Sequence, residues 1–432
     1  MVNEVDVIIV GGRPSGSTLA ARLGLAGLRV LLLERSVFPS APGASMPIIY
    51  ASTMRLLDEI GADEAAYARN TPKIRRMINL FEDESYTLHI PEAYGRDYAY
   101  GLDRARFDAA LWNHALSIPG VQGEQGVSVS DLLWDGDRVI GVVAQKNRER
   151  YEYRAGLVIG ADGRFSQVAR KAGAAEFDEH TENPTSLYYA YWKNVPPYGD
   201  GEPVVVATGR GDGYGLLMMD SADGTVGVGV EGRADLLEFP AGGAESFYLS
   251  LLQEFPVIWQ RLQFGERITG VHGMKRVGNL YRTPGGDGWA LTGDAYHQKD
   301  PLDGQGIYDA IYISRALAHE IIAWKHGEKP WERALLDFDA AARAETFPQY
   351  QATLSRVRDN LYREMPAWML ELSKRTWMRW LFEDTVFQEK LGMMLTRQIN
   401  ANEAVSPAVM VAALVAGPLR ELSRALDRQI QS

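Results

Sequence analysis

The sequence predicts an α/β protein: a parallel sheet with its own helices, interrupted by an antiparallel sheet and followed by a helical region. Three observations carry this. Residues 5–34 run from an apolar stretch through a glycine turn and helical spacing to a second apolar stretch, the periodicity of a βαβ unit. Between residues 186 and 232, SLYYAYWKNV, EPVVVATG, GYGLLMM and TVGVGVEG have strand composition and are separated by Gly and Asp turns. Beyond about residue 331 the spacing is helical, most clearly in WERALLDFDAAARAE and PAWMLELSKRTWMRWLFEDTVFQEKLGMML.

Composition narrows the function. The 432 residues are 46% hydrophobic and 23% charged, which excludes a disordered chain and suits two to three domains or one large discontinuous one. Lys and Arg number 45 against 56 Asp and Glu, a net charge of −11, so nucleic-acid partners and basic-patch membrane docking are not expected. The absence of cysteine excludes disulfides, thiolate metal sites, a Cys nucleophile and any cysteine-linked prosthetic group. The seven histidines are scattered, so no metal site is expected. The start, MVNEVDVIIVGG, carries an acid where a signal peptide carries Lys or Arg. The late apolar stretch Val405 to Leu419 is interrupted by Pro407 and Pro418 and falls short of a bilayer span. The expectation is a cytoplasmic protein without a stable membrane anchor.

Each element follows in order. Val5 to Val10 reads as a buried strand, GGRPSG as a turn, STLAARLGLAG as a helix and LRVLLLE as a second strand ending in Glu34. Strand, glycine turn, helix, strand and terminal acid is the layout of a dinucleotide-binding unit. Gly11, Gly12 and Gly16, with Pro14 and Ser15 between them, allow bare N–H groups at the helix start to approach a pyrophosphate. Glu34 is placed to accept hydrogen bonds from ribose hydroxyls, with Arg35 beside it. Arg13 stands where the middle glycine of the pattern belongs; it either points away from the phosphates or contributes its guanidinium to them. Residues 157–170, LVIGADGRFSQVAR, read as a strand, Asp162-Gly163 and a short helix. Residues 289–317, WALTGDAYHQKDPLDGQGIYDAIYISRAL, read as a strand, Gly293-Asp294, a loop and a long helix.

The trio of GGRPSG with Glu34, GADG, and GD-x6-P-x2-GQG resembles the FAD-dependent monooxygenases of the para-hydroxybenzoate hydroxylase type. That superfamily is shared with flavin-dependent halogenases and geranylgeranyl reductases. The resemblance spans about residues 1–330. It implies a Rossmann-like FAD-binding domain of glutathione-reductase type, discontinuous over 1–75, 97–180 and 270–330. A substrate domain then takes 76–96 and 181–269, and a C-terminal helical region takes 331–432. It implies non-covalent FAD, with Asp294 accepting from a ribityl hydroxyl and Asp162 and Gly163 near the pyrophosphate. Arg104, at the start of DRARFDAALWNHA, would reach the cofactor phosphates. Pro301 would lie beside the flavin ring, and the backbone of Gly304, Gln305, Gly306 and Ile307, opening a helix, would face its pyrimidine end.

The chemistry so implied is a monooxygenase, with NADPH or NADH as reductant and O2 as co-substrate. A flavin C4a-hydroperoxide would deliver oxygen to an aromatic or polycyclic small molecule of the kind met in secondary metabolism. The segment HQKDP departs from the family, which has apolar residues there, and makes His297, Lys299 and Asp300 candidates for acid–base work; a structural role for His297 is the alternative. Tyr189, Tyr191, Tyr214 and Met218 are candidates to line a substrate pocket, or equally to pack an ordinary sheet core. The segment PSAPGASMPIIYAST lacks the arginine that many members use near the flavin, which leaves open a separate reductase as partner. The halogenase signature W-x-W-x-I-P is absent from GYGLLMMDSADG. Two alternatives stay open: a flavin-dependent reductase of isoprenoid or other alkenes, and a ligand-binding flavoprotein with structural FAD. A monomer or homodimer is expected.

Overall fold

The computed structural model describes residues 5–41, 45–81, 84–209, 211–239, 243–364, 366, 368 and 373–431. In chain order, the elements that build the site begin with β1 (Val5–Val10), α1 (Pro14–Leu25), β2 (Val30–Glu34), β3 (Arg76–Phe81), β4 (Glu84–His89), α2 (Arg104–Ser117) and β5 (Val121–Gln125). They continue with β6 (Glu149–Gly160), α3 (Gln167–Lys171), β7 (Thr185–Lys193), β8 (Val205–Gly209), β9 (Tyr214–Asp220) and β10 (Val226–Arg233). The remainder are α4 (Ala244–Gln253), α5 (Pro256–Leu262), β11 (Trp289–Leu291), α6 (Gly306–Lys325), α7 (Trp331–Val357), α8 (Thr385–Leu395) and α9 (Pro407–Gln431).

The first sheet runs β11-β6-β1-β2-β5, with all four pairings parallel. Its strands are apolar on both faces because α1, α2, α6 and α7 share one core with them: Ile8, Ile9, Leu32 and Ile159 are fully buried between Leu19, Trp112, Leu317 and Phe338. Parallel strands end at one edge, so Gly11, Glu34, Asp162 and Gly293 are brought together although the chain separates them by up to 282 residues. That edge is where ligands bind in open α/β sheets.

The second sheet carries β7-β10-β9-β8-β3-β4. The 76–89 hairpin joins it through a parallel pairing of Met77–Leu80 with Val205–Thr208. Alternation sorts its side chains strictly. Tyr188, Trp192, Leu216, Met218, Val228 and Val230 form a core with α4 and α5. The register places Leu187, Gly215 and Glu231, then Tyr189, Leu217 and Gly229, on the opposite face, which looks toward the first sheet's carboxyl edge.

The C-terminal region is helical, but Pro418 does not interrupt it. Pro407 opens α9 and Pro418 lies inside it, correcting the expectation of a broken stretch. The helical run Ala401–Leu426 has a mean hydropathy of 1.4 and is long and apolar enough to cross a membrane by length and composition, with 11% of its most apolar window buried. The helix expected across 366–395 is resolved into Arg379–Phe382 and α8 with a wider turn at Ser373–Met378; residues 367 and 369–372 of that stretch lie outside the described residues.

Candidate functional site

One cavity of about 2050 Å³ runs between the two sheets and on into the C-terminal helices. An ordinary small-ligand pocket holds roughly 300–1000 Å³, so there is room for a dinucleotide and a second molecule together.

At the first sheet's edge, Gly11 takes a φ of +105°, and a Cβ there would overlap the carbonyl of Ala161. A Cβ on Gly16 would overlap the carbonyl oxygen of Gly11, so Gly16 lets α1 sit directly on the turn. The N-terminus of α1 opens on the cavity with Pro14 in its first turn and no side chain capping it, the arrangement that attracts phosphate. Glu34 ends β2 buried, accepting from the N–H of Gly12 at 2.7 Å and of Ser36 at 2.8 Å; spare lone pairs on both oxygens remain for a ligand hydroxyl. Arg35 is exposed at the rim.

Arg13 does not point away from the site. It donates to Asp108 at 2.5 Å and to the carbonyl of Ser40 at 3.0 Å. Arg104 grips the same carboxylate at 2.9 and 3.0 Å and donates to Ser45 at 2.6 Å. Asp108 is fully buried, while both arginines line the cavity. Two guanidinium groups on one carboxylate leave a net positive wall, suited to a pyrophosphate. Sequence reasoning missed Asp108, although its position four residues after Arg104 on one helix was a usable signal.

Asp162 lines the cavity and also serves the fold. Its carboxylate caps α3, accepting from Ser166 at 2.5 Å and from the Gln167 N–H at 2.6 Å, and burial raises its pKa against those bonds. Gly163 lines the cavity in a left-handed conformation, φ +79°. Asp294 is different: its half-exposed carboxylate faces the cavity beside Arg164, at 3.4 Å, with capacity left for a hydroxyl ligand. Arg164 also ties down the carbonyls of Gly278 and Lys299 at 3.2 and 2.6 Å.

The 297–307 loop forms the cavity's midpoint. Pro301 and Leu302 line it, Gly304 turns with φ +67°, and Gly306 and Ile307 start α6, whose N-terminus no side chain caps. The Gln305 side chain turns away, donating to the carbonyl of Leu395 at 3.0 Å. Lys299 is buried and donates to Asp303 and Asp309, each at 2.6 Å. Arg397 holds Asp309 at 2.7 Å, and Gln349 of α7 holds Asp303 at 3.0 Å. Burial alone would raise the Asp303 pKa, but Lys299 and Arg397 overcome it and push it down to about 2. Lys299 therefore clamps the loop; Arg397, lacking any sequence signal, was missed.

His297 lines the cavity, and its Nε2 is buried without a hydrogen-bond partner among the described residues. Its ring stacks on Tyr281 at 4.0 Å and abuts Tyr350 at 5.3 Å, with Nδ1 3.4 Å from the carbonyl of Leu280. Burial pushes its pKa from 6.5 down to about 3, against the pull of Asp309 and with Lys299 and Arg164 adding repulsion. A neutral, packed imidazole with that basicity does not accept a proton near neutrality. Because the unfolded chain binds a proton that the folded one refuses, this residue's contribution is complete above pH ~6.5 and declines as pH falls from there. We expect His297→Phe, which keeps the stack, to flatten the loss of stability between pH ~7 and ~4, measured as urea midpoints at each pH.

On the second sheet, Tyr189 lines the cavity and its hydroxyl accepts from the Ser45 N–H at 2.8 Å. Tyr191 shares that face and packs edge to face on Tyr189. Met218 lies on the far side in the core with α5 and is corrected as a substrate contact, whereas Tyr214 lines the cavity while its hydroxyl donates to Glu254 at 2.6 Å. The residue missed is Glu231. It lines the cavity, its Oε1 is shielded from solvent without a hydrogen-bond partner among the described residues, and its carboxyl is within hydrogen-bonding reach of Asp300. Asp300 itself is fully buried, accepting from Thr185 and from the Leu302 N–H at 3.0 Å. The signal was present in VGVGVEG, where the valines take one face and Glu231 shares the other with glycines.

The comparisons agree with this geometry. Residues 4–207 match the family model described as FAD binding domain. Digeranylgeranylglycerophospholipid reductase 2 of Methanococcoides burtonii is 26% identical over 75% of this chain and 76% of its own length. Tryptophan 2-halogenase of Chondromyces crocatus is 26% identical over 74% of this chain and 62% of its own. Among solved structures, the flavin-dependent brominase Bmp2 superposes with a TM-score of 0.76 at 18% identity, over 98% of this chain and 100% of that one. A geranylgeranyl bacteriochlorophyll reductase-like protein of Thermoplasma acidophilum gives 0.68 at 19%, over 98% and 99%.

Proposed function

We propose, from the match of residues 4–207 to an FAD binding domain, that this chain is a flavoprotein oxidoreductase and that it saturates a carbon–carbon double bond in an elongated, largely apolar molecule. The observation that carries the reading is the cavity's second arm. Beyond Pro301 and Glu231 its lining takes in Leu361, Leu381, Phe382, Phe387, Leu391 and Met410, with Arg356, Asp359, Asn360, Arg363 and Asn402 among them. Each methylene buried against the apolar residues contributes about 0.8 kcal/mol, which favours a chain of prenyl length, and the polar residues suit a polar end group.

In this reading Glu34 would hold the ribose of FAD, Arg13 and Arg104 its pyrophosphate and Asp294 its ribityl chain, and the N–H groups of Gly306 and Ile307 would meet its pyrimidine end. The bound cofactor, once reduced by NAD(P)H or by a partner reductase, supplies the electron pair. The residues that hold it are already ordered by protein contacts, so binding costs little reorganisation. Glu34→Ala and Asp294→Ala should each weaken flavin retention by about 1.5–3 kcal/mol, read as flavin absorbance remaining after gel filtration.

A second reading, oxygenation of an aromatic or polycyclic molecule, is favoured by the Tyr189 and Met46 wall at the middle of the cavity. The test separates them: protein with reduced flavin is given an all-trans tetraprenol without oxygen, and a phenol and polyketide panel with oxygen. A product two hydrogens heavier, formed anaerobically, supports saturation. Products one oxygen heavier, formed only in air, support the second reading. Failure of both leaves a binding protein with structural FAD.

A further inference from the structure

We propose that Glu231 is the proton donor of this site and that Asp300 positions it. The inference rests on the saturation reading for its acceptor. Adding hydrogen across a double bond needs an electron pair with one proton at one carbon, drawn from the reduced cofactor, and a second proton at the other carbon. Glu231 breaks its O–H bond as the new C–H bond forms, is left as carboxylate, and regains a proton from solvent.

The geometry supports this on three counts. Glu231 stands on β10, on the sheet face that looks into the cavity, flanked across the ladder by Leu187 and Gly215. Neither neighbour offers it a competing partner, and its Oε1 makes no hydrogen bond among the described residues. Its other contact, Asp300, cannot swing away, because Thr185 and the Leu302 N–H fix that carboxylate beside Pro301. The groups facing Glu231 are Asp300 and Asp303 from the loop and Arg164 from the turn after β6. Burial raises the Glu231 pKa well above the usual carboxylate range; the two acids add to the effect, and Arg164 opposes it. Near neutrality the group therefore carries a proton at the wall of the cavity. Lys299 is already engaged in ion pairing, and burial keeps the His297 imidazole neutral, with no proton to give.

Infrared spectroscopy of the flavin-loaded protein tests the first half without turnover. A protonated-carboxyl C=O band should be present at neutral pH and shift on transfer to D2O. It should be absent from Glu231→Gln. Anaerobic single turnover of all-trans tetraprenol tests the second. Glu231→Gln should bind flavin and tetraprenol as the wild type does, yet form the saturated product at least 100-fold more slowly. Asp300→Asn removes the repulsion that raises Glu231, so the alkaline limb of the rate profile should move to lower pH. A wild type lacking the band, or a Glu231→Gln variant within twofold of wild-type rate, overturns the assignment. If the wild type shows the band but forms only oxygenated product, the saturation reading falls. Glu231 is then judged by the same comparison of variant and wild type on that product, and a rate within twofold again overturns it.

Discussion

Lys299→Met is expected to lower the unfolding free energy by about 3–5 kcal/mol, the range found when one partner of a buried ion pair is removed. Lys299 is 6% exposed, and its ammonium lies 2.6 Å from both Asp303 and Asp309. Removing it leaves two buried carboxylates with one guanidinium, Arg397, to share. The loss should be visible as a lower urea midpoint with an unchanged slope. Lys299→Arg, which keeps the charge, should recover part of it. The pH dependence gives an independent reading. Asp303 is held down to about 2 in the folded protein, so its share of stability is complete above pH ~4 and is lost as pH falls through the folded value. Without Lys299 that loss should begin at higher pH. Full stability combined with abolished turnover would instead mean that Lys299 is an acid–base group after all.

Gly16→Ala should give protein that retains no flavin and is recovered mostly insoluble. The added methyl would overlap the carbonyl oxygen of Gly11, and neither atom belongs to a side chain that can turn aside. Overpacking of a rigid site costs about 1–3 kcal/mol. Here the only relief is to lift α1 away from the turn, which also withdraws the helix N-terminus from the cavity. Gly11→Ala should be as damaging, because its φ of +105° is outside the range an alanine adopts readily. Gly270→Ala is the control: an added methyl there meets nothing within 4 Å, and flavin content should be unchanged. Flavin absorbance per mole of soluble protein decides the matter. A yellow Gly16→Ala protein with wild-type occupancy would contradict this account of the cradle.

Much of the nucleotide end was legible because its determinants are local. A glycine that must sit beneath a helix, and an acid that must end a strand, declare themselves within about 30 residues of one another. Gly11, Gly16 and Glu34 were read in that way, and so was the strand alternation of residues 185–193. Spacing said least where a side chain had two partners to choose between. Asp162 precedes a short helix and a serine, and the helix took its carboxylate. His297 and Lys299 sit on the loop at the cavity, but Tyr281 and the Asp303–Asp309 pair lie behind it and claim them. Met218 depended on which face of β9 looked inward, and a one-residue change of register reverses that.

What the amino-acid order determined by itself is a parallel nucleotide-binding edge, an interrupting antiparallel sheet and a helical tail, since periodicity and turn chemistry act over a few residues. What only the tertiary structure decided is which charges meet. Asp108 between Arg13 and Arg104, Arg397 behind the loop, and Glu231 against Asp300 join segments that lie 69 to 95 residues apart or on different elements. Electrostatic partnership is set by distance and burial in space, and neither quantity is written in the spacing of residues along the chain.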